Sequence, residues 1–154
     1  MKIPIKEAIN SGAWFNCKCG YDATDEYDFK LKVLSFDKIN LGEIDNPEKI
    51  DIDLASGVLW LMKMQIISLN KTAVIRSPKY FIYVIDQDDF VYNYINDSYL
   101  ALFSNYARLS GLYNFFAVNF MPKIKYTGAI AFYLPDENEA EYYISVEGGN
   151  IQEV

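Results

Sequence analysis

Three aspartates in one short turn are the nearest approach to a catalytic or metal-binding cluster in this sequence. Asp86, Asp88 and Asp89 lie within a single four-residue stretch. Carboxylates at this spacing could hold Ca²⁺ or supply a paired acid and base. Because the loop lacks the glycine and the final glutamate of an EF-hand, we expect a solvated hairpin turn instead. A carboxylate-dependent hydrolase is the enzymatic hypothesis, and it requires a concave pocket beside these side chains.

Two cysteines, Cys17 and Cys19, are the only thiols of the chain. Their alternate spacing places both on one face of a predicted strand, where they could share a metal ion or act in redox chemistry. A tetrahedral zinc site needs four ligands, and the chain has no further cysteine and no histidine. A disulfide between residues two apart would be strained. We therefore expect buried structural thiols and neither a metal nor a cofactor.

The absence of histidine also argues against catalysis. It removes the commonest general acid and base, and with it the usual partner that activates a serine or threonine nucleophile. The sequence contains neither a glycine-rich phosphate loop nor a Gly-x-Ser-x-Gly turn. We predict a protein that is not an enzyme.

Aromatic residues are concentrated between positions 99 and 120, where they outnumber what one helix face can bury. Tyrosine and phenylalanine anchor many protein interfaces, although core packing is the alternative role. We predict a partner-binding surface formed by Tyr106, Tyr113, Phe115, Phe116 and Phe120.

The first third of the chain predicts a helix followed by a β-hairpin. Apolar residues recur at helical spacing over positions 3–10 and stop at Gly12, and strand alternation follows at 13–21 and 27–36. Pro47 and its acidic neighbours mark the best domain boundary. We predict that residues 1–50 form an appendage packed on a main domain of residues 51–154.

The remainder predicts an antiparallel β-sandwich. Strand patterns occupy residues 59–69, 79–85, 90–95, 125–134 and 141–147, and the acidic turn joins the second of these to the third as a hairpin. Gly148 and Gly149 are predicted to close a last hairpin. Helical spacing from Asp97 to Leu109 predicts a short inserted helix.

Three sequence segments of this region resemble a bacterial immunoglobulin-like family of unknown function, some of whose members are labelled telomeric repeat-binding factor 2. They are LWLM leading to SLNK from Leu59, IDQDDF from Ile85, and MPKIKYTGAIAFYLP from Met121. The resemblance covers about two-thirds of the chain. It implies a mainly β fold, an immunoglobulin-like antiparallel β-sandwich, and implies little about chemistry.

Charge limits the classes of partner. The chain has 14 Lys and Arg against 21 Asp and Glu, a formal net charge of −7, and no strongly basic patch. Phosphate backbones and anionic membranes repel such a surface, so we expect no nucleic acid and no membrane partner. Without a signal peptide or a spanning segment, we expect a cytoplasmic protein.

The sequence therefore leaves two functional hypotheses. The first is a non-enzymatic protein-binding module that uses the aromatic residues of segment 99–120. The alternative is an acidic intracellular immunity or inhibitor protein that blocks a basic partner. Strong salt dependence of binding would favour the alternative.

Overall fold

The computed structural model of the protein describes residues 2–20, 26–39, 57–74, 77–95, 119–137 and 139–154. This part of the chain is mainly β and holds one α-helix. The elements are β1 (Ile3–Pro4), α1 (Ile5–Ser11), β2 (Phe15–Cys19), β3 (Tyr27–Lys38), β4 (Gly57–Ser68), β5 (Ile82–Asp86), β6 (Val91–Tyr92), β7 (Lys125–Pro135), β8 (Tyr142–Val146) and β9 (Asn150–Glu153).

Two antiparallel sheets build the fold. One has the order β1-β8-β5-β6 and the other the order β7-β4-β3-β2-β9. Tyr94 lies just beyond β6 and pairs with Phe132 of β7, so the β6 end of one sheet meets the β7 edge of the other. The inner faces of both sheets contribute to a single apolar core. The predicted mainly β, sandwich-like fold is thus confirmed at this level.

Strand alternation places the core side chains on one face of β4 and β8. Met62, Met64 and Ile66 are fully buried along β4, and Ile144 and Val146 face them from β8 in the other sheet. Truncating a buried side chain of this kind to alanine typically costs about 2–5 kcal/mol. Strand β4, an interior strand of the five-stranded sheet, therefore contributes a row of side chains to the core between the sheets.

The N-terminal helix and hairpin form as predicted. Helix α1 ends at Gly12, whose φ of 62° is the left-handed conformation that glycine adopts without strain. Strand β3 pairs with β4 from Phe29 opposite Ser68 to Lys38 opposite Trp60, so β2 and β3 belong to the five-stranded sheet itself. The boundary predicted at Pro47 and the helix predicted from Asp97 lie outside the described residues.

Strand β3 contains a bulge that sequence alternation does not reveal. Val33 pairs with Met64 and Ser35 with Lys63, which leaves Leu34 as the extra residue. A bulge shifts the facing of every later side chain by one position. Phe36 therefore points to the inner side of the sheet and packs on Trp60.

The prediction that Gly148 and Gly149 close a last hairpin is wrong. Strand β8 belongs to the four-stranded sheet, whereas β9 pairs with β2 in the other sheet, Cys17 lying opposite Ile151. The glycines between them allow this crossing because the backbone of β2 lies against them. A Cβ at Gly148 would overlap the Gly20 carbonyl oxygen, and a Cβ at Gly149 would overlap the Lys18 carbonyl oxygen.

The strand predicted from residue 79 begins later than the sequence pattern indicates. Pro78–Tyr80 form a single 3₁₀ turn, and the Ser77 hydroxyl accepts a hydrogen bond from the Lys79 N–H. The fixed φ of proline suits the start of a helical turn. Within the described residues, no helix has the length and apolar character required to cross a bilayer.

Candidate functional site

The acidic turn is a hairpin built around Asp86. This carboxylate is 4% exposed, and its Oδ1 accepts hydrogen bonds from the N–H groups of Asp88 (2.9 Å) and Phe90 (3.0 Å). Its Oδ2 accepts a third bond, 3.1 Å long, from the hydroxyl of Tyr92. Strands β5 and β6 pair across the turn, which confirms the predicted hairpin. All three of these hydrogen bonds come from donors of the same hairpin.

The other two aspartates point elsewhere. Asp89 adopts a φ of 66°, the conformation that glycine commonly occupies in such a turn, and its Oδ1 lies 2.8 Å from the ammonium of Lys2. Asp88 is exposed. Among the described residues, no three Cys, Asp or Glu side chains are arranged to hold a metal ion. The three aspartates therefore form a structural turn in which their carboxylates do not converge.

Burial raises the pKa of Tyr92 to about 12, and the hydrogen bond to Asp86 acts in the same direction. Both effects favour the neutral phenol, whose hydroxyl can donate a hydrogen bond to the carboxylate. This tyrosine stays protonated at neutral pH and completes the internal bonding of the turn.

Of the predicted aromatic surface, the structure describes only Phe120. Its side chain is fully buried, its ring lies 4.8 Å from that of Tyr126, and its backbone pairs with Val74. Phe120 is therefore a core residue and cannot anchor a partner from the surface. The other four, Tyr106, Tyr113, Phe115 and Phe116, lie outside the described residues.

Both thiols are buried, and they share the inner face of β2. Burial raises the pKa of Cys17 well above its usual range, and the neighbouring Cys19 adds to the shift. Since the thiolate is the nucleophile and the metal ligand, a thiol held neutral is poorly suited to either role. The pair fits the structural role predicted for it.

A groove with an aromatic floor lies at the opposite end of β3 from the thiols, and its volume is about 530 Å³. The rings of Phe36 and Trp60 stack with centroids 4.7 Å apart. Tyr142 of the other sheet meets both edge-on, at 6.1 Å from Phe36 and 6.2 Å from Trp60. All three rings are partly buried, so the floor combines support from the core with an open face.

The bulge in β3 creates this floor. Without the extra residue Leu34, Phe36 and Lys38 would point to the outer face of the sheet. With it, Phe36 and Lys38 face inward opposite Met62 and Trp60. The groove is therefore a consequence of a register shift that no composition or spacing rule detects.

Helix α1 and the connection from β7 to β8 form the walls. The helix side contributes Pro4, Ile5 and Ile9 to the lining. The connection is held at its far end by a hydrogen bond from the Glu141 N–H to the side-chain oxygen of Gln87, 3.0 Å long. Further lining residues of the two walls are Lys6, Glu7, Glu137, Glu139, Ala140, and Glu141.

Carboxylates outnumber cations on the groove. Four glutamates line it against two lysines, Lys6 and Lys38. Burial and then the negative charges of Glu137 and Asp86 raise the pKa of Tyr142. The negative charge of the acidic rim, formed by the glutamates of the two walls, therefore acts on Tyr142 at the floor. It favours a positive group there.

Lys38 already places a cation over this floor. Its ammonium lies 5.7 Å from the Trp60 ring centroid, within the range of a cation–π contact. The same ammonium is 4.0 Å from Asp136, and both side chains of this pair are half or more exposed. Such contacts are weak, each worth at most about 1 kcal/mol.

A second lysine shows that aromatic faces hold ammonium groups elsewhere in the chain. Lys79 is only 1% exposed, and its ammonium lies 4.9 Å from the Tyr80 centroid and 5.4 Å from the Tyr94 centroid. The sequence pattern placed Lys79 in an ordinary strand and gave no sign of this burial. Unlike Lys38, this lysine is enclosed and presents no open surface.

Comparisons with protein-family models, with curated proteins and with solved structures gave no match. The resemblance to the immunoglobulin-like family therefore stays a prediction.

Proposed function

We propose that this protein is a non-enzymatic protein-binding module that binds a basic segment of its partner in the groove floored by Phe36, Trp60 and Tyr142. The observation that carries the proposal is the combination of an open aromatic floor with a rim rich in glutamate. Aromatic rings supply apolar area and a negative face, and carboxylates attract cations over a longer range.

The location of the groove supports a binding role. Its floor joins both sheets, since Trp60 belongs to one and Tyr142 to the other. A site built on strands is held more rigidly than a site on loops, so less ordering is required when a ligand binds. Three of the four glutamates, Glu137, Glu139 and Glu141, lie on the connection from β7 to β8, where their side chains are exposed.

The aromatic segment 99–120 remains a predicted second contact through Tyr106, Tyr113, Phe115 and Phe116. The burial of Phe120 removes one member of that set. We also keep the immunoglobulin-like assignment as part of the proposal; two antiparallel sheets with a common core support it.

The net charge of −7 favours a second candidate, an acidic immunity or inhibitor protein that covers a basic partner with its whole surface. The two candidates differ in where the charge acts. A groove binder depends on particular glutamates, whereas a general acidic surface depends on total charge.

Two charge-matched triple variants separate the candidates. Glu137→Gln, Glu139→Gln and Glu141→Gln remove three charges at the groove, and Glu26→Gln, Glu147→Gln and Glu153→Gln remove three elsewhere. An array of lysine-rich peptides is probed with each protein at two salt concentrations. We expect the groove triple to lose these peptides and the control triple to keep them. Equal losses in both would favour the general acidic surface, and retention by the groove triple would contradict the groove.

A further inference from the structure

The position of Lys38 suggests which chemical group the groove takes. Its ammonium lies over the face of Trp60, 5.7 Å from the ring centroid, on the inner side of the sheet. Lys38 and Trp60 are directly opposite each other in the β3–β4 register. The chain thus holds one of its own alkylammonium groups at the floor of the groove.

This internal cation is held loosely. Its ion pair with Asp136 spans 4.0 Å, and the two side chains are 50% and 65% exposed. An ion pair so open to water is weak, and a long lysine side chain gains rotamer freedom when it leaves. A competing cation could therefore displace Lys38 without disturbing the core beneath it.

The surroundings would accept the competing cation. Glu137, Glu139 and Glu141 line the wall beside the floor, and Trp60 offers the strongest cation–π face among the aromatic side chains. A lysine side chain brings both a positive head and an apolar stem, which match the acidic rim and the aromatic floor respectively.

We propose that the groove binds the side chain of a lysine from the partner protein, and that Lys38 is an internal occupant which this lysine displaces. This inference rests on the proposed function, because it names the group recognised in the same groove. Lys38 thereby lowers the affinity of the groove, since only molecules in which it has moved aside can bind.

A second lysine–tryptophan pair supplies a matched control. Lys32 lies over Trp14, its ammonium 6.0 Å from the ring centroid, on β3 but away from the groove. Lys32→Met and Lys38→Met remove the same charge and leave a similar apolar stem. Their difference isolates what happens at Trp60.

The test is an NMR titration that follows the indole N–H signals of Trp14 and Trp60, assigned with Trp14→Phe. The probe is N-acetyl-lysine methylamide, and N-acetyl-norleucine methylamide is its uncharged counterpart. We expect a saturable shift of the Trp60 signal with the lysine probe only. We expect Lys38→Met to bind the lysine probe at least about threefold more tightly than the wild type, and Lys32→Met to match the wild type.

Three outcomes would overturn the inference: weaker or unchanged binding in Lys38→Met, an equal gain in Lys32→Met, or equal binding of the norleucine probe. Trp60→Phe keeps the aromatic floor and weakens the cation–π contact, so its affinity should fall without loss of the fold. Because this variant lacks the indole of residue 60, its affinity is followed through the backbone amide signal of Lys38. Failure of the proposed function is distinguishable. In that case the lysine probe still binds at Trp60, but the groove triple retains lysine-rich peptides.

Discussion

The acidic turn and the groove both contain clustered carboxylates, but the carboxylates have different roles in the two regions. In the turn, the carboxylate of Asp86 is buried and accepts three hydrogen bonds from its own hairpin. On the groove, Glu137, Glu139 and Glu141 are exposed beside an open aromatic floor. Clustering of carboxylates in a sequence therefore says little about function until the hydrogen bonds that they accept are known.

Removal of the buried carboxylate should have the largest effect. Asp86→Ala leaves the Tyr92 hydroxyl and two backbone N–H groups without their acceptor. We expect the free energy of unfolding to fall by about 2–3 kcal/mol in urea denaturation. Asp86→Asn keeps acceptor capacity and should lose less. A change below about 0.5 kcal/mol in Asp86→Ala would show that the turn does not depend on this carboxylate.

The groove triple, in contrast to Asp86→Ala, should affect binding and leave stability almost unchanged. Because Glu137, Glu139 and Glu141 are exposed, their change to glutamine should alter the free energy of unfolding by no more than about 0.5 kcal/mol for each residue. Binding of a lysine-rich peptide, measured by calorimetry, should weaken about tenfold, which corresponds to about 1.4 kcal/mol. A large fall in the free energy of unfolding with unchanged peptide binding would contradict this expectation.

Alkaline pH should weaken the turn in a way that depends on Tyr92. Its pKa is about 12 in the folded protein, against about 10 for an unfolded tyrosine. Between these values the unfolded chain has lost more protons, so the stability present below pH 10 falls as the pH rises towards 12. Tyr92→Phe should reduce the slope of stability against pH in that window. An unchanged slope would contradict the role of the Tyr92 proton.

Asp89 should give the smallest effect. Its φ of 66° favours glycine, and its ion pair with Lys2 is exposed, with 76% of the Asp89 side chain accessible. We expect Asp89→Gly to raise the melting temperature slightly, by an amount equivalent to about 0.5 kcal/mol. Lys2→Met is the control for the ion pair. A clear loss of stability in Asp89→Gly would mean that the ion pair outweighs the backbone preference.

Local patterns in the sequence predicted the helix at α1, the hairpin of β2 and β3, and the strands β4 and β8. These features depend on side-chain period and on turn residues, which are readable locally. The bulge at Leu34 is not, because it appears only when β3 is aligned with its partner strand. The crossing of β9 to the other sheet depends equally on a distant contact, that of Gly148 and Gly149 with β2.

The candidate site was missed for the same reason. Phe36, Trp60 and Tyr142 come from three strands in two sheets, and their meeting depends on the bulge and on the packing of the sheets. Nothing in the local sequence shows that Glu137, Glu139 and Glu141 lie beside these rings. Segment 99–120, which the sequence favoured, is untested apart from the burial of Phe120.

The two tryptophans offer the most direct test of the central claim that the groove receives a basic side chain. Titration of the wild-type protein with N-acetyl-lysine methylamide should shift the indole N–H signal of Trp60 saturably and leave that of Trp14 unchanged. Parallel shifts of both signals, or a shift of Trp14 alone, would contradict the account.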